Sequence, residues 1–230
     1  MASSFLRLPF SFDPVLLQAD LQRCLAAEWP GHFNQKDYSG KWSSIALRSA
    51  SGNPLDIHSI PGKECIDTFL LESCAYFREL LAQFHCPMET VRLLNLGAGG
   101  VIHEHRDPGA GYHEGFLRIH VPVLTNEKAS MTVGGHTLYM KAGECWYADF
   151  GQLHSVRNDG DTDRIHLVID GLRNEWSDEL FRRAGYDFEE EKIKNKPDPG
   201  MLRSMIAELR AQGTETAAQL AQQLERENGL

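Results

Sequence analysis

The sequence contains no paired-cysteine motif. Its five cysteines (Cys24, Cys65, Cys74, Cys86 and Cys145) are odd in number, and none are spaced as Cys-x-x-Cys. A disulfide framework or thiolate zinc site is therefore not expected, and a reducing, cytoplasmic setting is. No apolar run approaches the roughly 20 residues of a membrane-spanning helix, and the N-terminal MASSFLRLPF has no apolar signal segment, so no membrane partner is expected. Basic charge is also in deficit. Lys and Arg total 23 against 32 Asp and Glu, for a formal net charge of -9, and the basic residues are scattered, which argues against nucleic acid as a partner. No internal repeat is evident. HExxH zinc chemistry is absent because His103-Glu104 is followed directly by His105. At 230 residues and 42% hydrophobic, the chain can still bury the core of one elaborated domain.

Two textures divide the chain. Up to about residue 90 it mixes strand and helix signals. FLRLPF (5–10) alternates as an edge strand would, and Asp13-Pro14 reads as an N-cap with Pro at the first position of a helix over 14–27. KWSSIALRSASG (41–52) reads as a strand ending in a turn. From Cys65 to Phe84 apolar residues recur at three and four, predicting the clearest helix of the chain. From Val91 onward eight short runs follow one another: VRLLNL, VIHEH, FLRIHVPVL, SMTV, HTLYM, CWYADF, LHSVRN and RIHLVID. Gly, Asn and Asp punctuate them and no helix intervenes, which predicts an antiparallel sandwich or barrel. Strand texture stops after Gly171. A helix over 174–184, a charged linker over 186–200, and two polar helices over 201–212 and 214–226 follow, the last two with narrow apolar stripes for self-packing or a partner. The expected organisation is thus a mostly β domain over 1–185 with flanking helices, and a linker with a helical extension over 186–230.

Chemistry concentrates in GGVIHEHRDPGAGYHEGFLRIHVPV (99–123), where His103, His105 and Asp107 lie among strand-like residues. A His-x-Asp pair places both side chains on one face of an extended strand. His154, opening a later strand, is the natural third ligand. Two imidazoles and one carboxylate form the facial set that holds non-haem Fe(II) with open positions. A competing set, the His103-x-His105 pair of a cupin, lacks the Glu that a cupin places a few residues later, since 109 and 110 are Gly and Ala. Left unpaired, Asp107 needs a metal or an arginine if buried, Arg106 being the adjacent candidate. In a double-stranded β-helix, Arg164 on RIHLVID would share one mouth with His105, Asp107 and His154.

The segments VIHEHRD, FLRIHVPV, AGECWYADFGQLHSVRN and TDRIHLVIDG, with a weaker match in KWSSIALRS, resemble the aspartyl/asparaginyl β-hydroxylase-like Fe(II)/2-oxoglutarate dioxygenases, which include bacterial free-proline hydroxylases. The likeness spans roughly 40–171 and implies a double-stranded β-helix (jelly-roll, cupin-like) core. It implies His105, Asp107 and His154 as iron ligands, Arg164 as the cation for the distal carboxylate of 2-oxoglutarate, His120 as a co-substrate contact and Arg118 as the partner of a substrate carboxylate. The chain keeps the Asp ligand, as the proline hydroxylases do and the animal-type enzymes do not. It carries Leu94 where many relatives place a Ser for the co-substrate, and the neighbouring Asn95 faces the other way.

The resemblance implies a hydroxylase that uses molecular oxygen and 2-oxoglutarate on an unactivated C–H bond of an amino acid, free and proline-like or an aspartyl/asparaginyl residue in a peptide. Two alternatives stand beside it: a cupin-type metalloenzyme that needs no 2-oxoglutarate, and a non-catalytic sensor or binding module on the same barrel. The Gly-rich 106–115 reads as a substrate lid or an ordinary connection. Trp42, Arg48, Tyr112, His113 and Trp176 are further pocket candidates. A structural salt bridge from Arg118 to Asp149 or Glu144 is the plainer reading of that arginine. The sequence gives no indication of oligomeric state.

Overall fold

Alternation along single strands sets the architecture. In the strand Arg164–Leu172, Ile165, Leu167 and Ile169 point to one side, into a large apolar core, while Arg164, His166 and Asp170 point to the other. Both faces are covered, so this strand is buried almost throughout. The structure is a computed structural model describing residues 4–31, 36–194 and 199–229.

The elements in chain order are β1 (Phe5–Ser11), α1 (Pro14–Cys24), β2 (Tyr38–Ser39), β3 (Trp42–Ser49), β4 (Ile66–Asp67), α2 (Phe69–Glu72), α3 (Ala75–Leu81), β5 (Met88–Leu96), β6 (Val101–His105), β7 (Phe116–Leu124), β8 (Ala129–Val133), β9 (His136–Leu138), β10 (Glu144–Ala148), β11 (His154–Asn158), β12 (Arg164–Leu172), α4 (Glu175–Arg183), α5 (Phe188–Lys194), α6 (Pro199–Ala211) and α7 (Glu215–Asn228). Seven strands form one sheet in the order β1-β10-β7-β12-β5-β3-β4, and five form another in the order β2-β6-β11-β8-β9. The named strand pairs are antiparallel. The inner faces share a smaller core containing Leu96, Ile102, Met131, Val133, Phe150 and Val156. This is the expected mostly β jelly roll with flanking helices, and all eight runs after Val91 became strands.

The outer face of the larger sheet takes the helices. Ile45, Leu47, Val91, Leu93, Leu117, Ile119 and Val121 pack in one cluster with Leu17 and Leu21 of α1, Phe77 and Leu80 of α3, and Phe181 of α4. Each such side chain contributes roughly 1.5–3 kcal/mol on burial. β1 lies at the sheet edge, as its weak alternation predicts. The turn from β5 to β6 requires glycine at Gly100, where a Cβ would sit 2.7 Å from Leu96 Cδ1 and 2.8 Å from the Gly97 carbonyl.

The predicted helix over Cys65–Phe84 is broken into β4, α2 and α3. Thr68 Oγ1 donates to the Ala46 and Leu47 carbonyls (3.1 and 3.0 Å) and ties the chain to β3 before a helix can start. The three-and-four spacing persists because Leu70, Leu71, Cys74, Phe77, Leu80 and Leu81 all face the same core. At the start of α3, Asp20 of α1 accepts from the Phe77 amide at 2.9 Å, a cap from a distant element. Helix 14–27 ends early, at Cys24, where Trp29 Nε1 donates to the last carbonyl at 3.0 Å.

Met1–Phe188 and Glu189–Leu230 are separate compact units. In the second, Leu202, Ile206 and Ala221 of α6 and α7 pack on one another with Leu209 and Leu224, so the narrow stripes meet in part, while Met205 and Leu220 are exposed. Within the expected linker 186–200, residues 188–194 are helical as α5, and 195–198 lie outside the described residues. No helix among the described residues is long and apolar enough to cross a membrane.

Replacing Asp20 with Ala leaves the Phe77 amide without its buried acceptor and is expected to destabilise the domain by about 1–2 kcal/mol at unchanged m-value. Urea unfolding followed by circular dichroism checks this, and a loss under about 0.5 kcal/mol would show that α3 does not depend on the distant cap.

Candidate metal centre

β6 and β11 are edge-to-edge neighbours, and His105 and His154 are direct cross-strand partners with ring centroids 4.2 Å apart. Both imidazoles are oriented alike. His105 Nδ1 lies 2.7 Å from the His103 carbonyl, and His154 Nδ1 lies 2.9 Å from the Gln152 carbonyl. A carbonyl only accepts, so each Nδ1 carries a proton and Nε2 is the nitrogen left to meet a metal. Burial holds the His154 imidazole below the ordinary histidine range, against the pull of the Gln152 carbonyl, so it is neutral at pH 7.

Asp107 joins them by a route alternation did not predict. β6 stops at His105, and Asp107 lies in the turn beyond, its amide donating to the Phe150 carbonyl at 2.9 Å. Its Oδ1 is 3.6 Å from His105 Nε2, and donor atoms of His105, Asp107 and His154 all lie within 4.8 Å of one another. Two imidazoles presenting Nε2 and one carboxylate suit a divalent first-row ion.

The cupin-type pair is not assembled. Between β11 and β6 the register shifts: His154 faces His105, but Val156, two residues on, faces Ile102, three residues back. That extra residue lets Ile102 and His105 both line the cavity. His103 is exposed instead, with Nε2 3.0 Å from Ser39 Oγ. An unbroken alternation would have put His103 and His105 on the same face.

A cavity partly open to solvent lies at this site. Arg118 and Arg164 enter it, together with His120, Trp42, Leu94, Met131 and Phe150. Arg164 is 5% exposed, and among the described residues no carboxylate lies within ion-pair distance. Burial lowers its pKa to about 9, and its Nη2 meets only His166 Nδ1, at 3.1 Å. His120 is buried, with Nδ1 3.4 Å from His166 Nδ1 and Nε2 lacking a partner. Burial, reinforced by Arg164, pushes both histidines well below the usual range.

Arg118 differs sharply from Arg164. Its Nε and Nη2 donate to Asp170 at 2.6 and 3.2 Å, and its Nη1 donates to Asp107 Oδ2 at 2.8 Å. The plainer salt bridge expected for it exists, but with neither Asp149 nor Glu144. Glu144 pairs with Arg7 at 3.0 Å, and Asp149 accepts from Gly151 and Gln152. Arg106 is exposed and reaches the Gly151 carbonyl, so Arg118 is the arginine that meets Asp107.

Of the further candidates only Trp42 lines the cavity. Arg48 pairs with Asp67 at 2.8 Å, and Trp176 packs on Phe84 and His85. Tyr112 is wholly buried, stacked on Phe181 at 3.9 Å, with its hydroxyl bonded to Asp178 and Ser177. Tyr112 anchors the 106–115 connection, while His113 is exposed. Leu94 lines the cavity and Asn95 turns away to Asp163. Sequence reasoning missed His166, Asp170 and Arg92, although alternation along RIHLVID already puts His166 and Asp170 on the face of Arg164.

Two facing antiparallel sheets with an inward His-Asp-His cluster place the molecule in the jelly-roll class. Comparison with known proteins is narrower: residues 16–174 match the sequence model of the aspartyl/asparaginyl β-hydroxylases, and the chain belongs to that family. It is similar to L-proline cis-4-hydroxylase of Rhizobium meliloti (strain 1021), 29% identical over 163 residues covering 69% of this chain and 57% of the relative. The chain thus spans little more than half the length of that curated relative. In fold it is similar to the non-heme alpha ketoglutarate dependent carbocyclase SnoK from nogalamycin biosynthesis, with TM-score 0.51 and 11% identity over 74% of this chain and 80% of that one. A Pseudomonas putida prolyl-4-hydroxylase aligns at TM-score 0.46 and 12% identity, covering 74% of this chain and 94% of that one.

The buried neutral histidines give a pH prediction. With folded pKa values below the unfolded value of about 6.5, His120, His154 and His166 take up protons only on unfolding, so stability is full above that pH and falls as pH drops through it. The thermal midpoint is expected to decline between about pH 7 and pH 5, ahead of carboxylate titration. Differential scanning calorimetry across that range checks this; a flat midpoint would mean these histidines ionise freely in the folded protein.

Proposed function

We propose that this chain is an Fe(II)- and 2-oxoglutarate-dependent hydroxylase acting on a C–H bond of an amino acid, free and proline-like in the first instance. The observation carrying this reading is Arg164, a buried guanidinium without a carboxylate partner among the described residues, in the same cavity as His105, Asp107 and His154. A buried unpaired cation is costly, and a dicarboxylate arriving as a ligand removes the cost. Membership of the hydroxylase family and the similarity to a proline hydroxylase support the same reaction class.

In this reading His105 and His154 through Nε2, and Asp107 through a carboxylate oxygen, hold Fe(II). Fe(II) held there would supply oxidation of the C–H bond by O2, coupled to conversion of 2-oxoglutarate to succinate and CO2. Arg164 receives the distal carboxylate of the co-substrate in its planar fork. His166 holds that fork from behind by accepting from Nη2. His120 lies alongside as a co-substrate contact. The apolar wall of Trp42, Leu94, Met131 and Phe150 limits water around the reacting carbon. Arg118 uses three of its N–H groups on Asp170 and Asp107, and those remaining meet the substrate carboxylate.

A cupin enzyme independent of 2-oxoglutarate is disfavoured because His103 turns out to Ser39 and nothing in that reading pairs Arg164. A binding module would not need the four groups together.

Arg164→Lys keeps the charge and loses the fork, so half-saturation by 2-oxoglutarate is expected to rise by roughly tenfold or more in succinate-release assays. Unchanged saturation would move the anchor elsewhere. Incubating the Fe(II)-loaded protein with free amino acids and short peptides, with mass-spectrometric detection, is expected to find an oxygen- and 2-oxoglutarate-dependent gain of one oxygen atom. Product formed without 2-oxoglutarate would overturn the reading.

A further inference from the structure

Behind the candidate centre lies an ionic chain that neither metal nor co-substrate binding requires. Asp170 is fully buried on the inner face of β12 and is surrounded by donors. Arg118 Nε and Nη2 grip it from β7, Arg92 Nη2 from β5, and Thr90 Oγ1 at 3.5 Å. Arg92 is fixed in turn by donating to the Ile57 carbonyl at 3.0 Å. Asp170 and Arg118 are direct cross-strand partners, so sheet register holds this contact as well as charge.

Asp170 takes two N–H groups of Arg118 but is shared with Arg92, so one carboxylate faces two guanidinium charges. The further link to Asp107 Oδ2 at 2.8 Å is the informative one, because the Asp107 side chain is 36% exposed and water could solvate that oxygen. The contact therefore orients Asp107 more than it solvates it. With Oδ2 held by Arg118, Oδ1 is the oxygen left on the side of His105 Nε2, 3.6 Å away. Arg118 is itself immobile, gripped by Asp170 through two bonds and lying over the Phe116 and Phe150 rings at 5.6 and 5.1 Å.

We propose that Asp170 is a positioning residue for the metal-binding carboxylate: acting through Arg118, it turns Asp107 so that Oδ1 alone is offered to a divalent cation. This rests on the reading of His105, Asp107 and His154 as the metal centre. A carboxylate restricted to one donor oxygen leaves a coordination position free that a chelating carboxylate would fill. It also explains why an expensive buried ion network sits behind the site instead of aliphatic packing.

The test is anaerobic titration of the purified chain with Co(II), read by visible absorption and calorimetry and needing no turnover. Wild type is expected to bind one Co(II) and His105→Ala none; failure of wild type to bind would overturn the metal reading itself. Asp170→Asn and Arg118→Gln are each expected to weaken Co(II) binding by roughly tenfold and to change the visible spectrum. The double variant is expected to be no weaker than Arg118→Gln alone, because Asp170 acts through that arginine. A folded Asp170→Asn, judged by circular dichroism, with wild-type affinity and spectrum would overturn the proposal, as would additive losses in the double variant. Should Asp170→Asn fail to fold, Arg118→Gln decides alone: wild-type Co(II) affinity and spectrum overturn the proposal, and a weakened site with an altered spectrum supports it.

Discussion

Two sheets can close over a face carrying Arg92, Arg118, Arg164, His120, His166 and Asp170 only if each charge finds a partner, since a bare ion in a jelly-roll interior costs several kcal/mol. Most of the inner face follows from that constraint. Asp170 is shared between two arginines from the strands on either side of β12, and it remains ionised although burial opposes this, because Arg118 and Arg92 outweigh the loss of water. The histidines meet the constraint by staying neutral. Arg164 alone of these cations has neither a carboxylate partner among the described residues nor a way to discharge at pH 7, and the proposed anion site rests on that.

The outer face of the same sheet obeys the opposite rule. β12 and β7 send Ile165, Leu167, Ile169, Leu117, Ile119 and Val121 into a core that the helices complete. A strand with aliphatic residues on one side and ionisable ones on the other can sit in only one register, because a slip of one residue would bury the charges under the helices. The apolar packing that stabilises the domain therefore also aims Arg118, His120 and Arg164 at one cavity.

Much of this was legible in the sequence, and what was not has physical causes. Strands after Val91 were readable because period-two alternation and Gly/Asn/Asp turns are local signals. The grouping of His105, Asp107 and His154 was readable from residue type and family resemblance, but Asp107 arrives from a turn held by the Phe150 carbonyl, which strand periodicity does not encode. The broken helix between Cys65 and Phe84 was not readable, since its interruption comes from Thr68 binding β3 and its restart is capped by Asp20, both contacts between distant parts of the chain. Tyr112 looked like a pocket residue because it lies near the ligands, yet its ring is pulled the other way by Phe181 and Asp178. The partner of Arg118 is not legible locally, because pairing of β7 with β12, and not nearness to β10 and its loop, brings Asp170 opposite it.

The extra residue in β6 separates two side chains of one kind. His103 and His105 are chemically identical, and only the local pitch of the chain between Ile102 and His105 decides which of them is offered to the interior. Were the alternation unbroken with every residue kept, both imidazoles would share one face, so the offset alone separates the one that lines the cavity from the one at the surface. Which imidazole reaches the cavity is thus written in the local spacing of the strand as much as in its letters. Comparing residues position by position would not reveal what separates His103 from His105, because the difference lies in the spacing and not in the residue.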